Sequence, residues 1–387
     1  MKMKQTLIAL AVASAFAAPV AMAGDAPAGP SNTSIYGAMN ASIDMVTSDG
    51  AAGAGDVTNN HVASNESRLG VKGSEDLGGG LSAIFQIESG VELDNDAAGL
   101  HGSTTTGARG GTTIGERNTF VGLSSGDMGT VVLGRHDTPY KISTRKLDQF
   151  AYTIADNRSI MGNNTHDDRI GNVAAYISPS FGGLSVAVAT VFGSERGRIA
   201  LTEDEKSTTY SLAGMYSMGG IYGTVAYQTI EFGQADGTVS GGQATLVANL
   251  PKLTATKIGG SYSMDAFTVG AVYEMLSNET GTNEAKNNNI YLSGAFNLSS
   301  MSKVKAAYTM RGETENNGVV APNTEATQMS IGYDHGLSAR TKLYALYSSL
   351  SNDGVGTGIK LSGKGTSSSA PRAVDATVFS VGVMHSF

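Results

Sequence analysis

The last eleven residues alternate in character, and the final one is phenylalanine. Thr377, Phe379, Val381, Val383, His385 and Phe387 fall on one face of an extended chain. Val378, Ser380, Gly382, Met384 and Ser386 fall on the other. A period of two is the mark of a half-buried strand. A free carboxyl-terminal aromatic frays in solvent at the end of a soluble edge strand. At the end of a membrane-spanning strand it sits at the interface, where aromatic girdles lie. The pattern therefore constrains the chain to one of two folds, a soluble sandwich or a transmembrane barrel.

The other end sets the compartment. Met1-Lys2-Met3-Lys4 is a basic start, Leu7 to Ala18 is apolar, and Ala21-Met22-Ala23 is a small-x-small cleavage site before Gly24. Residues 1–23 read as a cleaved signal peptide and residues 24–387 as one domain. No later segment offers an apolar helix of about twenty residues, the length a bilayer needs. Removing Lys2 and Lys4 takes the net charge from −8 to −10. Such an acidic chain excludes a nucleic-acid partner, which requires basic surface. With no cysteine, an exported protein has no disulfide staples. The 51 glycines against 8 prolines suit many strands joined by glycine turns. A mean hydropathy of −0.08 is what strands give when one face meets lipid and the other water.

Alternation recurs along the chain. Ile35, Met39, Ile43 and Met45 oppose Tyr36, Asn40, Ser42 and Asp44; Leu81, Phe85 and Ile87 oppose Ser82, Gln86 and Glu88. Lys303, Lys305 and Lys342 fall opposite the apolar faces of their strands. That sense is required, because a lysine on the lipid face at mid-membrane costs about 2–4 kcal/mol. Short connections are expected near Gly78–Gly80, Ser125–Gly129, Pro179–Gly183, Ser217–Gly220, Met264–Asp265, Leu298–Ser302 and Gly336–Ser338. Long ones are expected over 47–65, 89–115, 136–168, 193–207, 229–255, 277–288, 311–325 and 350–375. Seven short turns and eight long loops predict sixteen strands, with both chain ends on the short-turn rim where they can pair. The predicted fold is all-β, a 16-stranded antiparallel transmembrane barrel. Asn172–Ile177 and Leu184–Val191 are apolar on both faces, which fits small inward residues covered by a loop.

Several motifs bring in a family. Ser67-Arg-Leu-Gly-Val-Lys-Gly-Ser-Glu-Asp-Leu-Gly78 resembles the second strand and turn of Gram-negative porins of the neisserial and betaproteobacterial type. Ile35-Tyr-Gly37, Phe120-Val-Gly-Leu123, Gly134-Arg135, Leu343-Tyr-Ala-Leu-Tyr347 and Val381-Gly-Val-Met-His-Ser-Phe387 follow in the same order. The resemblance spans the expected mature chain. It implies an outer-membrane homotrimer of sixteen-stranded barrels with short periplasmic turns and long extracellular loops. It implies that the third loop folds into each pore. It also implies partners: outer-membrane lipid and lipopolysaccharide, the assembly machinery that reads Phe387, and the ions and small solutes that pass. The arginines that such porins place on the pore wall fall here on Arg68, Arg117 and Arg169, with Lys72 on the same face as Arg68. Arginine suits the role because it stays charged at any working pH. The alternative for each is a rim salt bridge or a lipopolysaccharide contact. The third loop carries four basic and five acidic residues, so net charge alone does not set its selectivity. If Asp148 or Asp156 faces the wall arginines, a transverse field crosses the constriction.

Other chemistry is poorly supported. Gly122-Leu-Ser-Ser-Gly126 has the spacing of a nucleophile elbow, but a strand rather than a helix is expected to follow Ser124. Gly358 to Lys364 resembles a phosphate loop, with Gly365 where Ser or Thr is needed. The six histidines show no metal-ligand spacing, and Glu203, Asp204 and Glu205 read as solvated charge. The sequence therefore predicts a non-enzymatic channel without cofactor, passing ions and small hydrophilic solutes with a mild anion preference. The alternative is an adhesin or structural barrel with a plugged lumen.

Overall fold

A computed structural model describes residues 31–49, 55–93, 114–192, 207–232, 239–240, 243–244, 251–353, 359, 361 and 375–387. The expected signal peptide, the Glu203–Glu205 acids and the low-complexity stretch 363–370 lie outside those residues.

Sixteen antiparallel strands form a closed cylinder. They are β1 (Ser31–Ser48), β2 (in two segments, Val57–Ser64 and Arg68–Gly78), β3 (Leu81–Gly90), β4 (Thr119–Ser125), β5 (Gly129–Asp137), β6 (Arg169–Ile177), β7 (Leu184–Val191) and β8 (Thr208–Met218). Then come β9 (Ile221–Glu231), β10 (Pro251–Met264), β11 (Phe267–Thr280), β12 (Asn283–Asn297), β13 (Ser302–Arg311), β14 (Ala326–Gly336), β15 (Thr341–Asn352) and β16 (Ala376–Ser386). Each pairs with its sequence neighbours. β1 closes the ring by pairing with β16 from Ala38↔Ser386 to Ser48↔Ala376. Closure removes the free edges that an open sheet exposes.

The alternation sorts as expected. On β16, Phe379, Val381 and Val383 are exposed outward, while Val378 and Ser380 are buried. On β1, Ile35 and Ile43 face out; Asn40, Ser42 and Asp44 face in. The seven short connections fall where glycine and turn residues predict them.

The long connections depart from expectation in three places. Residues 277–288 are not a long loop: β11 and β12 run on to a tight turn, paired as far as Thr280↔Asn283. Their ends are polar because they project past the bilayer, and polarity alone does not separate an exposed strand from a loop. For the same reason Val57–Ser64, expected as loop, extends β2 against β1. The connection after β13 carries a small hairpin, Thr314–Asn316 paired with Val319–Ala321.

Among the described residues, one long stretch fills the interior, and Ile359 and Leu361 of the connection after β15 are buried against it. Residues 138–168, between β5 and β6, fold back inside the cylinder as α1 (Pro139–Arg145) and two short 3-10 turns. Apolar clusters form between this loop and the wall. Tyr140 packs with Ala213, Ala226, Ala255 and Leu276. Phe150, Ile154 and Ile160 pack with Leu346, Leu350 and Val378. Small inward alanines give the loop its room. Gly332 on β14 also does so, because a Cβ there would lie 2.9 Å from Phe150 Cε1.

Candidate functional site: the loop-lined lumen

Thr138 caps α1 by accepting a hydrogen bond from the Lys141 backbone N–H, and Pro139 opens the helix where its missing N–H is harmless. The helix is then fixed to the wall by buried polar contacts. Tyr140 donates its hydroxyl to Glu274 at 2.6 Å, and Lys257 Nζ lies 2.6 Å from Asp167. Glu274 also accepts from the Gly162 N–H at 2.8 Å and from Asn289 at 2.7 Å. Burial pushes the Tyr140 hydroxyl well above its usual range, with the Glu274 charge acting in the same direction, so it stays a donor. Burial pushes His166, in the same loop, down to about 4, so it is neutral.

The free side of the loop faces a cavity of about 530 Å³. Arg68, Arg117, Arg169 and Asp148 all line it, on β2, before β4, on β6 and on the loop respectively. Lys72 and Asp156 do not. Lys72 shares the inward face with Arg68, but its ammonium lies 5.0 Å from the centre of the Tyr36 ring. Asp156 is fully buried within the loop, 2.8 Å from Arg145 and 3.0 Å from Arg158. Burial opposes its charge, but those two guanidiniums outweigh burial and hold its carboxyl well below the usual range.

Asp148 accepts from the Phe150 and Asn157 N–H groups and from Tyr291, and pairs with Arg145 at 3.3 Å. Burial, reinforced by the Asp156 charge, raises its carboxyl to about 6. Neither acid stands exposed opposite the wall arginines. The loop presents Arg145 and Lys146 to the cavity instead.

Several participants escape the sequence reading. Glu66 sits between the two segments of β2 with φ +56°. There it receives Arg158 from the loop at 2.8 Å and Arg117 from the wall at 3.2 Å. Glu88 takes Arg117 at 2.6 Å, Arg68 at 3.8 Å and the Tyr36 hydroxyl at 2.9 Å. Asp137 takes Lys141 at 2.8 Å and Arg169 at 3.1 Å. The only sequence signal for Glu66 is the break in alternation at 65–67.

Of the charged residues lining the cavity, seven are basic and four acidic. Two of the basic ends also reach further into it than their partners: Arg68 is 21% exposed against 8% for Glu88, and Arg145 is 16% against 1% for Asp148. Asp137 is the exception among the acids, more exposed than the Arg169 and Lys141 it pairs with. Ser124, the residue of the elbow-like motif, instead shares a hydrogen bond with Thr130 across a strand–turn–strand hairpin.

A closed cylinder with an apolar outer face, a charged lumen and one loop folded inside is a transmembrane β-barrel channel. The comparisons with known proteins give its kind. A family model described as Gram-negative porin matches residues 9–355, and the chain belongs to that family. It is 28% identical over 402 residues to outer membrane porin protein 32 of Delftia acidovorans, covering 100% of both chains. It is 31% identical over 195 residues to major outer membrane protein P.IB of Neisseria gonorrhoeae, covering 48% of this chain and 47% of that one. Among solved structures, the anion-selective porin from Comamonas acidovorans superposes with a TM-score of 0.70 at 22% identity, covering 92% of this chain and 100% of that one. A trimer form of OmpT from Vibrio cholerae gives 0.66 at 14% identity, covering 92% and 99%. The protein is thus a general-diffusion porin of the Gram-negative outer membrane. Its homologues are channels rather than enzymes.

Proposed function

We propose that the channel is mildly anion-selective and that the constriction is the Arg68–Arg117–Arg169 wall together with Arg145 on the inward loop. The carrying observation is the excess of basic over acidic side chains lining the cavity, seven against four, with Arg68 and Arg145 more exposed than the carboxylates they pair with. Asp148 tunes the charge of this surface; Asp156 braces the loop from within. Lys72, below the constriction, adds basic charge to the path. The printed description of the Comamonas relative as anion-selective accords with this reading. The protein acts as a homotrimer, as the trimer form of OmpT does. Residues 1–23 are removed on export. Lipopolysaccharide contacts the outer face, and the assembly machinery reads Phe387. No cofactor takes part.

Reversal potentials across a salt gradient in planar bilayers test the selectivity. Anion preference is expected, reduced by Arg68→Ala and Arg117→Ala. A clear cation preference in the wild type rules out the arginine argument. Stepwise single-channel openings are expected throughout; their absence would favour a plugged barrel.

A further inference from the structure

The inward loop is strained at a point that lies in the lumen. Tyr152 lines the cavity and holds φ at +64°. Four of the other five described non-glycine residues with positive φ are Asn or Asp, which adopt it readily. An aromatic residue there is costly, whereas glycine would take the same backbone freely. The conformation is held from both sides. The Tyr152 N–H donates to Asp156 within the loop at 3.2 Å, and the Tyr152 carbonyl accepts from Asn40 on β1 at 2.8 Å. Strain maintained in this way points to a use for the side chain.

Two cations share the Tyr152 ring. The guanidinium carbon of Arg145, on the loop, lies over it at 4.4 Å from its centre, and that of Arg68, on the wall, at 5.2 Å. Every other cation–ring contact among the described residues joins one cation to one ring. Glu88 holds Arg68 only loosely, standing 3.8 Å away and being taken by Arg117 at 2.6 Å. Guanidiniums brought together from different elements repel each other. A carboxylate between them would offset that repulsion but would also cancel positive charge. The face of an aromatic ring attracts cations through its quadrupole and carries no net charge. It therefore gathers positive charge at the lumen without neutralising it.

We propose that Tyr152 is a specificity-determining residue of the pore, a positioning residue whose ring holds Arg68 and Arg145 together where anions pass. This role rests on the anion-selective reading of the channel, to which it adds the group that keeps the two guanidiniums in place. Neither contact involves the phenolic hydroxyl, so the ring alone carries the effect.

Reversal potentials of variants at 152, measured in planar bilayers across a potassium chloride gradient, test this. Tyr152→Phe keeps the ring and should rescue the anion preference that other substitutions lose. Tyr152→Leu keeps a bulky side chain and its Cβ, hence the backbone strain, but has no ring face, and its reversal potential should shift towards zero. Tyr152→Phe carrying one, two or three ring fluorines keeps the ring shape while weakening the quadrupole, so anion preference should fall stepwise along the series. That series decides the matter alone if Tyr152→Leu does not assemble. An unchanged reversal potential in Tyr152→Leu, an equal loss in Tyr152→Phe and Tyr152→Leu, or a flat fluorine series each overturns the proposal and leaves the anion-selective reading standing. A wild type that prefers cations overturns that reading and the proposal with it.

Discussion

Two loop residues titrate near neutrality for related reasons, and their effects on the pore add. Burial and the Asp156 charge raise Asp148 to about 6, so it takes up a proton and the lumen gains positive charge as pH falls through 6. Burial lowers Lys141 to about 8 despite Asp137, so the lumen loses positive charge as pH rises through 8. Anion preference should therefore be greatest below pH 6 and decline in two steps towards pH 9. Reversal potentials across that range read it directly, and Asp148→Asn should remove the lower step only. A flat profile would show that neither group faces the permeation path electrically. Arg158 has a different role. It is 3% exposed and spans Asp156 and Glu66, joining the loop to β2. Removing one partner of a buried ionic network costs about 3–5 kcal/mol. Arg158→Ala should therefore lower the unfolding temperature of the barrel markedly, as followed by circular dichroism; an unchanged transition would deny Arg158 its bracing role. Arg68, Arg117 and Arg169 were readable because each stands beside a strand motif. Glu66 was not, because its left-handed backbone breaks the alternation that locates inward residues.

Strands were legible and loop paths were not, for a physical reason. A strand that faces lipid on one side must alternate, and a two-residue period survives in sequence. The chain from 138 to 168 is positioned by contacts with distant strands, such as Tyr140 to Glu274 and Lys257 to Asp167, which leave no local period. The polar ends of β11 and β12 failed for the converse reason, since they alternate weakly once both faces meet water. Seating of the inward loop can be tested at Gly332. A Cβ there would press on the Phe150 ring, which is fully buried against β14 and β15. Gly332→Val should push the loop away from the wall, and Phe150→Ala should loosen it by removing packing worth about 3–5 kcal/mol. Both variants should give noisier single-channel currents of altered amplitude in barrels of normal strand content. Quiet, wild-type openings in both would show that the polar anchors alone hold the loop.

At the scale of the whole molecule, the barrel depends on one junction that no local segment specifies, the meeting of its two ends. The register shows how tightly the last residue is used there. The Gly37 N–H donates to the Phe387 carbonyl at 3.0 Å, and the Phe387 N–H donates back to Gly37 at 3.1 Å. Phe387 thus pairs with Gly37, three residues further into β1 than the Ser34 neighbourhood expected from the sequence. Its ring lies over the Gly37 Cα, a position that any side chain at 37 would occupy. Deleting Phe387 removes both hydrogen bonds and the aromatic from the membrane interface, but it touches nothing in the lumen. Assembled, heat-resistant protein should fall sharply, while those channels that do form should conduct as the wild type does. Gly37→Val keeps the terminal residue available to the assembly machinery but evicts its ring from the seat. If the loss comes from failed closure, both variants should lose yield together. If it comes from failed recognition, only the deletion should. Normal yield in both, measured by semi-native electrophoresis, would mean that the eleven remaining register pairs between β1 and β16 close the cylinder unaided.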